Sequence, residues 1–209
     1  MKIMTAPRYW KQATRELAAG DPVMRKLVAQ SKGLALRSRG DAFNTLARSI
    51  VGQQISVKAA QSVWNRLVAA VPEMHPEVVR NHDADALRAC GLSRGKVVYL
   101  HDLAHHFAEG KLSVDRWQHM SDDELIAELT QVRGIGRWTA EMFLIFYMMR
   151  PDVLPLDDIG LQNAVSRLYY KGRPLTRKQL VTFAKRWRPW RSVATWYMWR
   201  SLDPVPVEY

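Results

Sequence analysis

The sequence predicts an all-α protein, and three observations carry that reading. Apolar residues return at helical spacing along most of the chain, while the alternation of a half-buried strand does not occur. Helix-start signals stand ahead of those segments. The connections between segments are short, and no low-complexity tract or internal repeat stands out.

Taken in order, the residues before Asp41 are expected to supply one or two helices of a small lobe rather than a separate sheet domain. Asp21-Pro22 puts a capping residue ahead of a proline at the first helical position, Asp41 precedes Ala42-Phe43-Asn44-Thr45-Leu46, and Ser56 precedes Val57, Ala60, Val63, Trp64 and Leu67 on one face. Asp83 opens a short helix that stops at Gly91, and Ser93 opens one that runs to about Gly110. Ser121-Asp122-Asp123-Glu124 is a capping box before Leu125, Ile126 and Leu129. Residues 137–149 are so apolar all round that they predict an interior, central helix. Beyond the stretch Pro151-Asp152-Val153-Leu154-Pro155, helices are expected from about Asp158, from Thr176, and from Pro189 to just before Pro204.

With 209 residues, 47% hydrophobic and 24% charged, the chain has the profile of a globular protein, either one domain or two closely packed lobes. Lysine and arginine number 31 against 20 acidic residues, a net charge of +11 that favours a polyanionic partner. The distribution sharpens this. No acidic residue lies between Asp158 and Asp203, while Arg167, Lys171, Arg173, Arg177, Lys178, Lys185, Arg186, Arg188, Arg191 and Arg200 are basic. A solvated basic face without a partner is the plain alternative, and nucleic acid the better one. The single cysteine, Cys90, excludes an internal disulfide, a cysteine-ligated iron–sulfur cluster and a cysteine-based zinc site. Neither a secretory signal nor a spanning apolar run is read, so a soluble, monomeric protein of the cytoplasm is expected.

The most informative segment is Val132-Arg133-Gly134-Ile135-Gly136, followed by Arg137-Trp138-Thr139-Ala140 and later by Asp157-Asp158. Two glycines around one apolar residue let the backbone turn sharply between antiparallel helices and let its N–H groups approach a phosphate closely. Ile135 is expected to pack inward and anchor the turn. Such contacts ignore base sequence and suit a protein that scans DNA. Taken alone, the turn also reads as an ordinary helix–helix connector, and Asp157 or Asp158 as an ordinary helix cap.

The segment 129–140, with Leu154-Pro155-Leu156-Asp157-Asp158, Ser49-Ile50-Val51-Gly52-Gln53-Gln54-Ile55-Ser56 and Arg186-Trp187-Arg188-Pro189-Trp190-Arg191-Ser192, resembles the helix-hairpin-helix DNA glycosylase superfamily. Within it the chain is most similar to the alkylation-repair branch of DNA-3-methyladenine glycosylase II type, over roughly residues 41–202. The resemblance implies two helical lobes with an active-site cleft between them. One is a terminal lobe of residues 1–40 plus 157–209; the other is a central lobe of residues 41–156 that carries the helix-hairpin-helix at about 121–149.

It further implies a monofunctional glycosylase. Such an enzyme flips alkylated bases such as 3-methyladenine and 7-methylguanine out of double-stranded DNA and hydrolyses the N-glycosidic bond, starting base excision repair. Asp158 is placed as the catalytic carboxylate, with Asp157 its structural neighbour. Trp138, Trp199 and Met142 line the base pocket. Arg133, Gly134, Ile135, Gly136, Arg137, Gln53, Gln54, Ile55, Ser56 and Arg191 contact DNA. No metal, cofactor or iron–sulfur cluster is called for, although the hairpin carbonyls are a place for a monovalent or divalent ion.

Relatives that also cut the strand carry a lysine where this chain has Trp138, so hydrolysis without a Schiff base is implied. Two departures stand out. Met142 replaces a tyrosine, and the intercalating position falls at Gln54, leaving Gln54 or Ile55 to fill the gap behind an extruded nucleotide. Of the eight tryptophans, Trp187, Trp190, Trp196 and Trp199 crowd together, and any one of them reads equally as core. The rival reading from another class is a non-catalytic DNA-binding protein. A zinc hydrolase built on His101 and His105 lacks the glutamate that the usual motif places after the first histidine.

Overall fold

The computed structural model describes residues 6–38 and 41–202; residues 1–5, 39–40 and 203–209, all within the expected terminal lobe, lie outside that description. The described residues form thirteen α-helices and one 3-10 turn, with no strand. The chain divides into two compact units, Gly40–Phe143 and Met1–Arg39 with Leu144–Glu208. One division falls after Phe143, inside a helix.

Unit Gly40–Phe143 contains α3 (Ala42–Gly52), α4 (Val57–Ala70), α5 (Pro76–Arg80), α6 (Ala84–Ala89), α7 (Arg94–Ala108), α8 (Val114–Trp117), α9 (Asp122–Leu129) and the first turns of α10 (Arg137–Phe146). The expected caps set the starts: Asp41 accepts from the Asn44 amide, Ser56 from Ala59, Asp83 from Ala86 and Ser93 from Lys96. Ser121 and Glu124 form the full capping box. Helix α7 is the hub, packing on α3, α5 and α6. Beneath it Trp117, fully enclosed, meets Phe107 and Phe143 edge-on and donates its indole N–H to Glu128 at 2.7 Å.

The other unit holds α1 (Trp10–Gly20), α2 (Pro22–Gln30), α11 (Ile159–Tyr169), α12 (Arg177–Ala184), the 3-10 turn Lys185–Trp187 and α13 (Arg191–Leu202). Asp21 caps α2 through the Val23 and Met24 amides and also accepts the Tyr169 hydroxyl at 2.8 Å. Residues 192–198 of α13 are buried without interruption, and α1, α2 and α11 pack on that helix.

Two boundaries differ from expectation. Helix α10 ends at Phe146, short of residue 149, because the chain curls back through a bond from the Arg150 amide to the Leu144 carbonyl and Met149 takes a φ of +55°. Its next carbonyls are met from the side: Ser38 donates to Tyr147 and the Tyr9 hydroxyl to Met149. Helix α13 begins at Arg191, since its start is fixed by Asp152 accepting the Arg191 amide rather than by Pro189. The short helices α5 and α8 were not read from the sequence. Residues 139–146 are all buried, as the all-round apolar character of α10 predicts.

Replacing Trp117 by alanine removes both edge contacts and leaves Glu128 without its indole donor. A loss of about 3–5 kcal/mol in unfolding free energy is expected, measured by urea denaturation.

Candidate active site

The hairpin between α9 and α10 assigns its two glycines different tasks. Gly134 takes a φ of +81°, and a Cβ there would lie 2.2 Å from the ring of Tyr99, so only glycine fits. A Cβ on Gly136 would meet nothing within 4 Å, so this side of the turn is open to an approaching group. Ile135 is buried, and its amide closes the turn onto the Val132 carbonyl. Gly136 accepts the Ala140 amide and so stands at the cap of α10. An exposed helix start with a glycine cap suits an anion.

Not every group assigned to DNA faces outward. The Arg133 amide is donated to Asp102 at 2.8 Å, while the Arg133 side chain is exposed. Arg137 spans Glu141 at 3.0 Å and Asp123 at 3.4 Å, with its side chain half exposed. Gln53 donates its side-chain amide to the Gly134 carbonyl at 2.8 Å, which makes it a brace of the hairpin and occupies one of the carbonyls considered for an ion.

At the α3–α4 corner, Gln54 takes a φ of +59°, unusual for a residue with a side chain, and projects into solvent. Ile55 beside it is 40% exposed, and Val57 is more so. Ser56 is spent on capping α4. On the other flank Lys96 donates to the carbonyls of Val51 and Gln53, each at 2.7 Å, and partial burial lowers its pKa from the usual lysine range.

In the other unit, Asp158 is 8% exposed and caps α11. Its Oδ1 accepts the Leu161 amide at 2.6 Å and the Trp199 indole N–H at 2.7 Å. Trp199 lies flat on Phe146, centroids 5.7 Å apart and planes within 10°. Gly160 makes room for the pair, since a Cβ there would sit 3.1 Å from Trp199 and 3.2 Å from Asp158. The neighbouring carboxylate, Asp157, is exposed and paired with Arg177. The other crowded tryptophans are structural: Trp187 packs among Tyr169 and Phe183, Trp196 edge-on to Trp10, and Trp190 stacks on Tyr9 and donates to Glu16. Trp138 is half-buried in the first turn of α10, and Met142, one turn on, is 2% exposed.

Arg191, expected to contact DNA, has a partner in its own unit. Its guanidinium grips Asp152 through Nε at 2.6 Å and a second nitrogen at 2.9 Å, and also bonds the Asp152 carbonyl. A fork engaged this fully fastens residues 151–153 to α13. Of the two histidines read as a rival metal pair, His105 pairs with Glu109, and Asp102, which lies between them in sequence, holds the hairpin. Lys96, Tyr99, Asp102, Phe146, Asp152 and Gly160 were missed by the sequence reading. For the first three a signal existed, a three-residue spacing that sets them on one face of α7.

Gly134→Ala is expected to cost about 1–3 kcal/mol of stability from backbone strain alone, before its clash with Tyr99. Gly136→Ala should leave the melting temperature unchanged yet weaken duplex binding about tenfold by crowding the open face of the turn. Thermal unfolding and anisotropy of a labelled duplex check both.

The family described as HhH-GPD superfamily base excision DNA repair protein matches residues 47–189. DNA-3-methyladenine glycosylase 1 of Schizosaccharomyces pombe is 32% identical over 180 residues, covering 84% of this chain and 79% of that protein. A Bacillus subtilis relative named putative DNA-3-methyladenine glycosylase YfjP is 33% identical over 169 residues, covering 77% of this chain and 59% of its own length. The fold agrees with a solved Schizosaccharomyces pombe 3-methyladenine DNA glycosylase in complex with abasic DNA, at a TM-score of 0.80 and 30% identity over 95% of this chain and 98% of that one. A DNA-3-methyladenine glycosidase structure from Bacillus halodurans matches at a TM-score of 0.82 and 30% identity, covering 96% and 92% of the two chains. An all-helical chain with this hairpin, matched over most of its length, therefore belongs to the HhH-GPD superfamily of base excision DNA repair proteins.

Proposed function

We propose that this protein is a monofunctional DNA glycosylase of the 3-methyladenine type, releasing alkylated bases from double-stranded DNA. The observation that carries the reading is the Asp158 carboxylate, nearly buried, with one oxygen held by the Leu161 amide and the Trp199 indole. Breaking the C1′–N bond builds positive charge on the sugar. A carboxylate fixed in direction beforehand stabilises that charge and positions or deprotonates the attacking water.

Trp199, bonded to Asp158, supplies an indole face for the base. A ring alkylated at nitrogen is cationic, and an indole favours it over a neutral base by about 0.5–2 kcal/mol. Because such a base leaves as a neutral molecule, strong acid catalysis is not needed. Duplex binding is assigned to the open face of the hairpin at Gly136, the exposed Arg133 side chain and the start of α10. Gln54 and Ile55 are the wedge that enters the stack, the one reaching out on a left-handed backbone and the other apolar and exposed. Where strand-cutting relatives have lysine this chain has Trp138, so no side-chain amine stands there to attack the sugar.

Alkylated duplex DNA incubated with the protein should release free 3-methyladenine or 7-methylguanine and leave abasic sites that break only after alkali. Asp158→Asn is expected to bind the same duplex and lose at least about 100-fold in release rate. Borohydride added during turnover should trap no covalent complex. Binding without release by the native protein would favour the non-catalytic reading, and undiminished release by Asp158→Asn would remove that residue from its role.

A further inference from the structure

One face of α7 supports both elements assigned to DNA in the unit Gly40–Phe143. Asp102 holds the Arg133 amide and the Tyr99 ring lies under Gly134, so the hairpin is seated on α7 at two points. Lys96, one turn earlier, reaches the other way and donates to the Val51 and Gln53 carbonyls at the end of α3. Gln53 then closes the path with its bond to the Gly134 carbonyl. Gln54 follows directly, already on a left-handed backbone, where a small rotation of the residue before it would redirect its side chain.

We propose that Lys96, acting through Gln53, is a positioning residue that locks the α3–α4 corner in register with the hairpin and thereby aims the wedge at the duplex. It touches no substrate. Its ammonium satisfies two carbonyls that a helix end leaves without partners, and a charged donor holds them more firmly than water does. The inference rests on reading that corner as the wedge.

The test compares two readouts on Lys96→Met and Lys96→Arg: affinity for an undamaged duplex, and single-turnover release of 7-methylguanine. A 2-aminopurine placed beside the lesion reports base extrusion by fluorescence. Lys96→Met is expected to keep duplex affinity within about threefold while extrusion and release fall by about ten- to a hundredfold, the scale on which small misplacements act. Lys96→Arg, which retains a charged donor, should recover most of the loss. If Lys96→Met does not fold, Gln53→Met breaks the second link of the same path and is held to the same outcome.

Native release rates in the folded variant, or equal losses of affinity and release, would overturn the proposal. Gln54→Ala and Ile55→Ala separate the layers. If they extrude the base normally, the wedge reading itself has failed; if they lose extrusion while Lys96→Met does not, only the role of Lys96 falls.

Discussion

The bond between the Trp199 indole and Oδ1 of Asp158 is the interaction on which the chemistry proposed for this protein depends. A carboxylate with so little exposure must be met by donors, or its loss of hydration is not offset. Here the first donor is the Leu161 amide, supplied because Asp158 caps α11, and the second is a tryptophan one helix away. The cap fixes where the carboxylate sits, and the indole fixes how it is turned. Because Trp199 lies face to face with Phe146, that turn is in effect fixed by an aromatic stack. A residue that caps a helix can also serve as the catalytic group proposed here, so the two readings of Asp158 from sequence do not compete.

The same chemistry recurs elsewhere in the chain. Asp21, Asp41 and Asp83 accept amides at helix starts, Asp102 accepts the Arg133 amide and Asp152 the Arg191 amide. The last two join segments that sequence separates by 31 and 39 residues. Carboxylates committed to backbone N–H groups are not available to neutralise surface cations. In the stretch 167–188, which contains no acidic residue, Arg167, Lys171, Arg173, Lys178, Lys185, Arg186 and Arg188 are exposed, and Arg177 pairs with Asp157. The net charge of +11 follows from 31 lysines and arginines against 20 acidic residues, and this stretch carries much of the excess.

This also explains what was legible in the sequence. Capping is a local code, so the starts of α2, α3, α4, α6, α7, α9 and α12 could be read, as could the glycine turn. Long-range partners are not local. Nothing near Arg191 tells that Asp152 will take up its fork, and a free basic residue is what the sequence suggests. Gln53 reads as a DNA contact because it belongs to a recognisable segment; its bond to Gly134 depends on the packing of α3 on α7, which the sequence does not declare. The helices α5 and α8 are too short for periodicity to declare them. Among the crowded tryptophans, type alone could not separate Trp199 from Trp187 and Trp196; burial and a carboxylate partner do.

Gly160 shows how tightly the site is drawn. Its φ is ordinary, and nothing in the helical pattern around it calls for glycine. The cause is spatial. A methyl group there would press on Trp199 and on the Asp158 oxygen at 3.1–3.3 Å, closer than ordinary van der Waals contact. Neither neighbour can yield freely, since the indole is backed by Phe146 and the carboxylate is tied to the Leu161 amide. A single added carbon would have to part the indole from the carboxylate or tilt the first turn of α11. The short distance between those two groups is therefore maintained by an absent side chain, a form of specification that residue chemistry alone does not reveal.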